Sequence, residues 1–520
     1  MNGRVPNTPA RVGMSILFPD PTEADRAEEH DQPQFVGDLL LDQVVKSLTS
    51  RRGEYRLAPY FSAPLHTTQA VDYRQQVFRD LDGTPSAGHL ARFGQRMATV
   101  HRALNYAAEV RAPQVSSRWT LDGATEYAEA VRDLHAHLAA APLRSTALRA
   151  FTDYLTGYLA SEPFTRLAAE ARQITGELDR LRYSLTIRGL RVTVRPYDQE
   201  EDYAAQVAAT FERFRHGEVK PYQVEYRDTT TVGHIEAQAL ERIARLFPAQ
   251  FATLERFRAE HRDFIDPTIA LFDRQAQFYL AYLDHLRPLR TAGLDFCYPQ
   301  VTDARQIEVH DTFDLALCAK LTEDSTPIVR NDIRVEGHER IIVVTGPNQG
   351  GKTTYARTIG QLCHLARLGL PVPGTSARLP LIDTVFTHFE RGENLTDLRG
   401  KLQDDLIRIH DILRDARDRS LIILNEIFTS TTLQDALALS TGILEQATRL
   451  DALCVCVTFI DELAALNEKT TSVVAGVDPA DPTIRTFRLE PRPADGRAYA
   501  VALAAKHRLT YRDVMEVLAR

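Results

Sequence analysis

The sequence predicts a multidomain protein in which a helical domain is followed by an α/β domain built on a largely parallel sheet. Three observations carry that expectation. From Phe35 to about Leu181 apolar residues recur at helical spacing, as in Val36, Leu39, Leu40, Val44, Val45 and Leu48. Beyond Leu294 short β-branched runs alternate with helical patterns, the grammar of an α/β layer structure. The chain has 520 residues, 44% of them hydrophobic and 25% charged, which is more than one ordinary core can organise.

Taken in order, residues 1–34 are rich in Pro, Asp and Glu, with one short apolar patch at Met14 to Phe18, and read as a flexible arm. Helical patterns follow over Phe93 to Val110, Ala124 to Ala140 and Thr146 to Tyr158, punctuated by Pro113, Pro142 and Pro163. At Ser184 to Pro196, Leu185, Ile187, Leu190, Val192 and Val194 flank Gly189, a hairpin signal. With a short helix at Glu200 to Arg215 and a strand candidate at Tyr222 to Tyr226, this forms a small β-containing insertion near 184–226. Helical patterns resume from His234 to about Leu289, divided by Pro248 and Pro267 into several helices. The helical domain is thus expected over 35–300 and the α/β domain over 301–520, with the boundary between 290 and 310. Strands are expected at Ile307 to Val309, Asp314 to Ala319, Ile341 to Thr345, Leu421 to Leu424 and Leu453 to Phe459.

Composition excludes several classes. No run approaches the roughly 18 apolar residues of a membrane helix, and the N-terminus lacks a secretory apolar core, so the expected compartment is the cytoplasm, with no membrane partner. A net charge of -8 gives no global basic footprint for nucleic acid, which leaves room only for a local patch. Five cysteines are spaced neither as a disulfide framework nor as a zinc site; Cys454 and Cys456 alternate with Val455 and Val457 as one face of a buried strand. His310, His338, His388 and His410 are scattered and read as surface or structural histidines.

Chemistry concentrates in IIVVTGPNQGGKTT, Ile341 to Thr354. Gly346, four intervening residues (Pro347, Asn348, Gln349, Gly350), Gly351, Lys352 and Thr353 satisfy G-x-x-x-x-G-K-[ST] between a strand and a helix, with Thr354 following. Glycines let backbone N–H groups turn toward a phosphate, and the helix N-terminus adds its positive dipole end. Lys352 would reach the β- and γ-phosphates and Thr353 would ligate magnesium, which makes the second domain a P-loop nucleotide-hydrolysing fold with ATP and Mg2+ as ligands. Such a site also needs an acidic residue at the end of a neighbouring strand. SLIILNEIF, Ser420 to Phe428, supplies Asn425 and Glu426 where open α/β sheets bind ligands. Glu426 is the candidate general base or water-orienting group. Asn425 stands on the metal side and keeps an acceptor oxygen without a charge.

These segments together resemble the MutS family of DNA mismatch repair ATPases. TGPNQGGKTT is similar to that family's TGPNMGGKST, LNEIFTSTTLQDA stands where the family has a DEIGRGTST-type stretch, and DGRAYAVALAAKHRL resembles the family's tail, which ends in dimerisation helices. The likeness is dense from about Ile328 to Leu518. Upstream, LDQVVKSL and YRQQVFRDL are similar to the start of the family's helical core, or lever, domain. The resemblance implies an ABC-like ATPase domain, ATP and ADP as ligands, a homodimer and a DNA partner. Besides Asn425, two positions depart from the pattern. Phe459 in CVTFIDEL stands where the family has a switch histidine, Gly400 in NLTDLRGKLQDDL where it has a signature serine that reaches the partner's nucleotide, and Asn394 and Lys401 are carried over as neighbours of that trans contact. The mismatch-reading domain finds no counterpart in the roughly forty residues before the core-like helices.

The leading expectation is a MutS-like, slowly hydrolysing homodimeric ATPase that binds mismatched, branched or otherwise distorted DNA in repair or recombination. The alternative is a nucleotide-gated dimeric interaction protein that does not act on DNA.

Overall fold

A computed structural model describes residues 14–20, 33–188, 191–199, 234–324, 326–390, 400–481 and 483–494. Along the chain, α1 (Phe35–Asp38), α2 (Leu41–Thr49), α3 (Ala58–Ser62), α4 (Thr68–Leu81), α5 (Pro85–Glu109), α6 (Pro113–Ala140), α7 (Thr146–Ala160) and α8 (Glu162–Asp179) precede a hairpin of β1 (Tyr183–Arg188) and β2 (Arg191–Pro196). Among the described residues α9 (His234–Leu246), α10 (Pro248–Glu260) and α11 (Pro267–Thr291) follow. The remainder runs β3 (Phe296–Cys297), β4 (Gln300–Thr302), β5 (Ile307–Thr312), α12 (Leu315–Glu323), β6 (Asn331–Val335), β7 (Ile341–Thr345), α13 (Lys352–Arg367), β8 (Val372–Pro373), β9 (Ser376–Pro380) and β10 (Thr384–His388). It closes with α14 (Lys401–Asp415), β11 (Ser420–Asn425), α15 (Leu433–Arg449), β12 (Leu453–Val457), β13 (Thr470–Val477) and β14 (Arg485–Pro491).

Two compact units are discontinuous in sequence: one comprises residues 1–87, 143–149 and 274–520, the other 88–142 and 150–273. A single cut near residue 300, as the sequence reading expects, therefore does not describe the packing. The physical reason lies in side chains that join the early helices to the α/β layer. Gln361 on α13 donates to the Leu39 carbonyl (2.9 Å), Tyr282 on α11 donates to the Pro371 carbonyl (2.6 Å), and Thr387 on β10 donates to Asp38 (2.6 Å). Arg74 on α4, fully buried, donates to the carbonyls of Leu17 (3.1 Å) and Leu368 (3.0 Å) and lies over the rings of Phe18 and Phe278.

The Leu17 contact also corrects the reading of residues 14–18 as part of a flexible arm. Ser15, Ile16, Leu17 and Phe18 are buried, and Gln275 accepts from the Ile16 amide at 2.8 Å. The rest of the expected arm up to residue 32, apart from residues 19 and 20, lies outside the described residues, as do the helix and strand expected over 200–226 and the tail beyond residue 494.

In the larger unit the main sheet has the order β10-β11-β12-β7-β13-β14, parallel throughout except for β14, which pairs antiparallel with β13. Its central strands are apolar without alternation because both faces are covered: every residue of β7, β11 and β12 is buried. Cys454 and Cys456 lie in that core, and all five cysteines are free thiols. A second sheet, β4-β9-β5-β6, flanks it in the chain. The strand expected at Asp314 to Ala319 is instead α12: the Asp314 carboxylate caps the helix by accepting from the Leu317 amide at 2.8 Å, and the following LALCAKL is rich in helix formers.

Among the described residues of the smaller unit the expected helices form, with Pro113, Pro163 and Pro248 each in a first turn, where the missing N–H costs nothing. The hairpin pairs antiparallel from Tyr183↔Pro196 to Arg188↔Arg191. Phe151 stacks on Phe272 at 3.6 Å, and the Tyr127 and Tyr158 hydroxyls meet at 3.0 Å. Glu170, Glu260 and His261 come together here, but Arg166 neutralises both carboxylates at 3.4 and 3.2 Å, which makes an ion-pair network of the cluster. Among the described residues no helix is long and apolar enough to cross a membrane.

Candidate functional site

The site sits where β7, β11 and β12 end on one edge of the main sheet. Parallel pairing in register brings their C-termini level, and two backbone bonds lock the crest: the Glu426 amide donates to the Val457 carbonyl (2.9 Å) and the Thr458 amide to the Val344 carbonyl (3.1 Å). Ligands of open α/β sheets bind at such carboxyl ends.

From β7 the chain enters the glycine loop. Gly346 adopts φ 115° with the backbone of Ala475 pressed against it, so that a Cβ there would come within 3.0 Å of the Ala475 N and O atoms. Gly351, at φ 92°, is the N-cap of α13 and has no side chain to cap it, which leaves the first-turn amides directed outward. Gln349, between them, also takes a left-handed backbone (φ 59°).

The predicted side chains converge. Thr353 donates its hydroxyl hydrogen to Asn425 Oδ1 at 2.9 Å, although the two are 72 residues apart in sequence. Lys352 is almost wholly buried and donates to the Gly346 and Pro347 carbonyls at 3.0 and 3.1 Å. Burial pushes its ammonium down from 10.5 to about 8; the nearby Glu426 carboxylate opposes that shift and Arg485 adds to it. Glu426 itself is half-buried and held in a left-handed conformation (φ 51°), as is Phe428 two residues on (φ 59°). For a residue with a side chain that conformation is sparsely populated, and such residues collect at functional sites.

Phe459, the departure from the histidine, projects from the end of β12 with its ring half exposed and 4.2 Å from the Lys352 ammonium. Lys401 pairs with Glu390 and donates to Thr429 at 3.2 Å, just beyond β11, while Gly400 is the exposed N-cap of α14. Asn394 lies outside the described residues.

Other contributors escaped the sequence reading. Arg485, on the antiparallel edge strand β14, donates to the Asn348 carbonyl at 3.1 Å. Phe487, also on β14, takes φ 56° and packs beside Gly351; Asn331 braces it by donating to the Phe487 carbonyl (3.1 Å) and accepting from the Leu489 amide (2.8 Å). Together with Phe313, Leu317, Ile328 and Val329, Phe487 gives an apolar wall to a cavity of about 430 Å³ whose other wall is Gln349 to Thr354 and Glu426. The lining thus brings the glycine loop together with a largely apolar set of side chains. No signal local to β14 could have announced this role, because the strand reaches the loop only through sheet pairing.

Glycine loop, helix, crest carboxylate and mostly parallel sheet define an α/β domain of the P-loop type. Residues 342–489 match the family model of MutS domain V. The DNA mismatch repair protein MutS of Erythrobacter litoralis (strain HTCC2594) is 30% identical over 220 residues, which is 41% of this chain and 25% of that protein. The protein of the same description from Desulfovibrio desulfuricans (strain ATCC 27774 / DSM 6949 / MB) is 30% identical over 234 residues, 43% of this chain and 25% of that protein. The likeness to the MutS family therefore rests on this domain, and the chain spans about a quarter of the length of the curated relatives it matches.

Proposed function

We propose that the chain binds ATP with Mg2+ at this crest, hydrolyses it slowly, and couples the nucleotide state to self-association and to binding of distorted DNA in repair or recombination. The observation that carries the reading is the Thr353–Asn425 contact beside a glycine loop that holds its own lysine through the Gly346 carbonyl. Thr353 Oγ1 and Asn425 Oδ1 are the two oxygens that would hold the metal, and both are hard donors of the kind magnesium takes. Bound Mg2+ would neutralise charge on the phosphates. Loop amides and Lys352 would bind and orient the β- and γ-phosphates, and Glu426 would hold a water and accept its proton. Slow turnover follows from an amide in place of a carboxylate at Asn425 and from a ring without a proton to share at Phe459.

Lys401, Gly400 and Asn394 are proposed to face the nucleotide of a second copy, and the tail beyond residue 494 to join the copies. The helical residues would carry closure to a DNA-binding end. An acidic balance of -8 favours, as a second reading, a nucleotide-gated dimer that leaves DNA alone. Steady-state ATPase assays test the first part: Lys352→Ala and Glu426→Gln should each abolish turnover, and Glu426→Gln should retain triphosphate binding. Turnover unchanged in both variants would overturn the assignment. Titration of branched, mismatched and plain duplexes at two ionic strengths separates the two readings, since DNA binding weakens steeply with salt through counterion release.

A further inference from the structure

An ammonium has three N–H bonds to satisfy, and the chain itself satisfies all three directions around Lys352. Two point to the Gly346 and Pro347 carbonyls at 3.0 and 3.1 Å, and the ring of Phe459 lies 4.2 Å from Nζ. An aromatic face attracts a cation through its quadrupole, most strongly where water is excluded, and Lys352 is almost fully buried. The backbone that carries the ring is anchored. Thr458, immediately before it, donates its amide to the Val344 carbonyl, and the Ile460 amide, immediately after it, donates to Thr458 Oγ1 at 3.1 Å. The chain is therefore anchored on both sides of Phe459, while about half of that residue's surface faces solvent.

We propose that Phe459 is a positioning residue that latches Lys352 onto its own loop, so that a triphosphate must draw the ammonium away from ring and carbonyls before it binds. The inference rests on the nucleotide reading of the loop and deepens it. A ring–ammonium contact is worth about 0.5–2 kcal/mol, so its removal changes triphosphate affinity by about 2- to 30-fold at 1.4 kcal/mol per tenfold. A histidine at this position would exchange protons, whereas phenylalanine imposes only the latch.

The test uses the full chain and the variants Phe459→Leu, which keeps apolar bulk without a quadrupole, and Phe459→Tyr, which restores a ring. A non-hydrolysable ATP analogue should bind Phe459→Leu about 2- to 30-fold more tightly than wild type, Phe459→Tyr should return to the wild-type affinity, and AMP, which does not reach Lys352, should bind all three alike. Equal or weaker analogue binding by Phe459→Leu, with wild type binding normally, would overturn the latch and leave the nucleotide site standing. The chain has seven lysines, so the side-chain methylene signals of 13C-labelled lysine can be resolved by NMR and Lys352 assigned with Lys352→Arg. Without nucleotide, the Lys352 ε-methylene should be shifted upfield by the ring in wild type and Phe459→Tyr, and not in Phe459→Leu. If no nucleotide binds any form, the site reading fails and this spectrum still decides the latch: an unshifted wild-type signal overturns it.

Discussion

At the residue scale, the proposed chemistry turns on Asn425 and Lys352. Asn425 accepts from Thr353 without contributing charge. Asn425→Asp should lower the Mg2+ concentration needed for half-maximal triphosphate binding by about tenfold, the scale on which one change around a metal acts, and should speed turnover; magnesium titrations at fixed nucleotide check it. Lys352 gives a pH dependence. Burial is the main cause of its descent to about 8, with Arg485 adding to the effect and Glu426 opposing it. A polyanion prefers the charged lysine, so triphosphate affinity should be full below about pH 8 and fall as pH rises through it, while Lys352→Arg should be flat over the same range. The stability of the free protein moves the other way. Between about 8 and 10.5 the unfolded chain holds this proton more tightly than the folded one, so this group's contribution to stability rises with pH across that window.

At the scale of elements, the loop from Gly346 to Gly351 and the strand ending in Asn425 and Glu426 were legible in the sequence. Each is a contiguous pattern: a buried β-branched run, then residues whose types the chemistry dictates. Gly346→Ala should cost triphosphate affinity roughly 5- to 150-fold with little change in circular dichroism, because a strained backbone and the clash with Ala475 together raise the cost by about 1–3 kcal/mol. The contribution of β14 was not legible. Arg485 and Phe487 lie more than a hundred residues from the loop, and only antiparallel pairing with β13 delivers them. Asp314 to Ala319 misled for a different reason. A short apolar run cannot be told from a buried strand by periodicity, and only the Asp314 cap decides for helix.

At the scale of the whole chain, helical periodicity located the long helices before residue 291 among the described residues but could not tell which helices pack with which sheet. Residues 33–87 and 274–291 belong with the α/β layer, fastened there by side chains such as Arg74 that look like surface residues in the sequence. Arg74→Met should destabilise the fold by about 2–4 kcal/mol, because it strips two buried carbonyls of their donor, and should expose Ser15 to Phe18 to proteolysis; urea denaturation and limited digestion check both. The same thorough burial governs the cysteines. Cys318, Cys363, Cys454 and Cys456 are inside, with thiols that burial pushes up to about 12 for Cys318, Cys363 and Cys456 and well above the ordinary value for Cys454. Cys297 is partly covered and raised to about 11. Alkylating dyes react with thiolates, which these five residues scarcely form at neutral pH. A single cysteine introduced at exposed Leu433, the first residue of α15, would take a fluorophore selectively in the otherwise native chain, with no background thiols to remove.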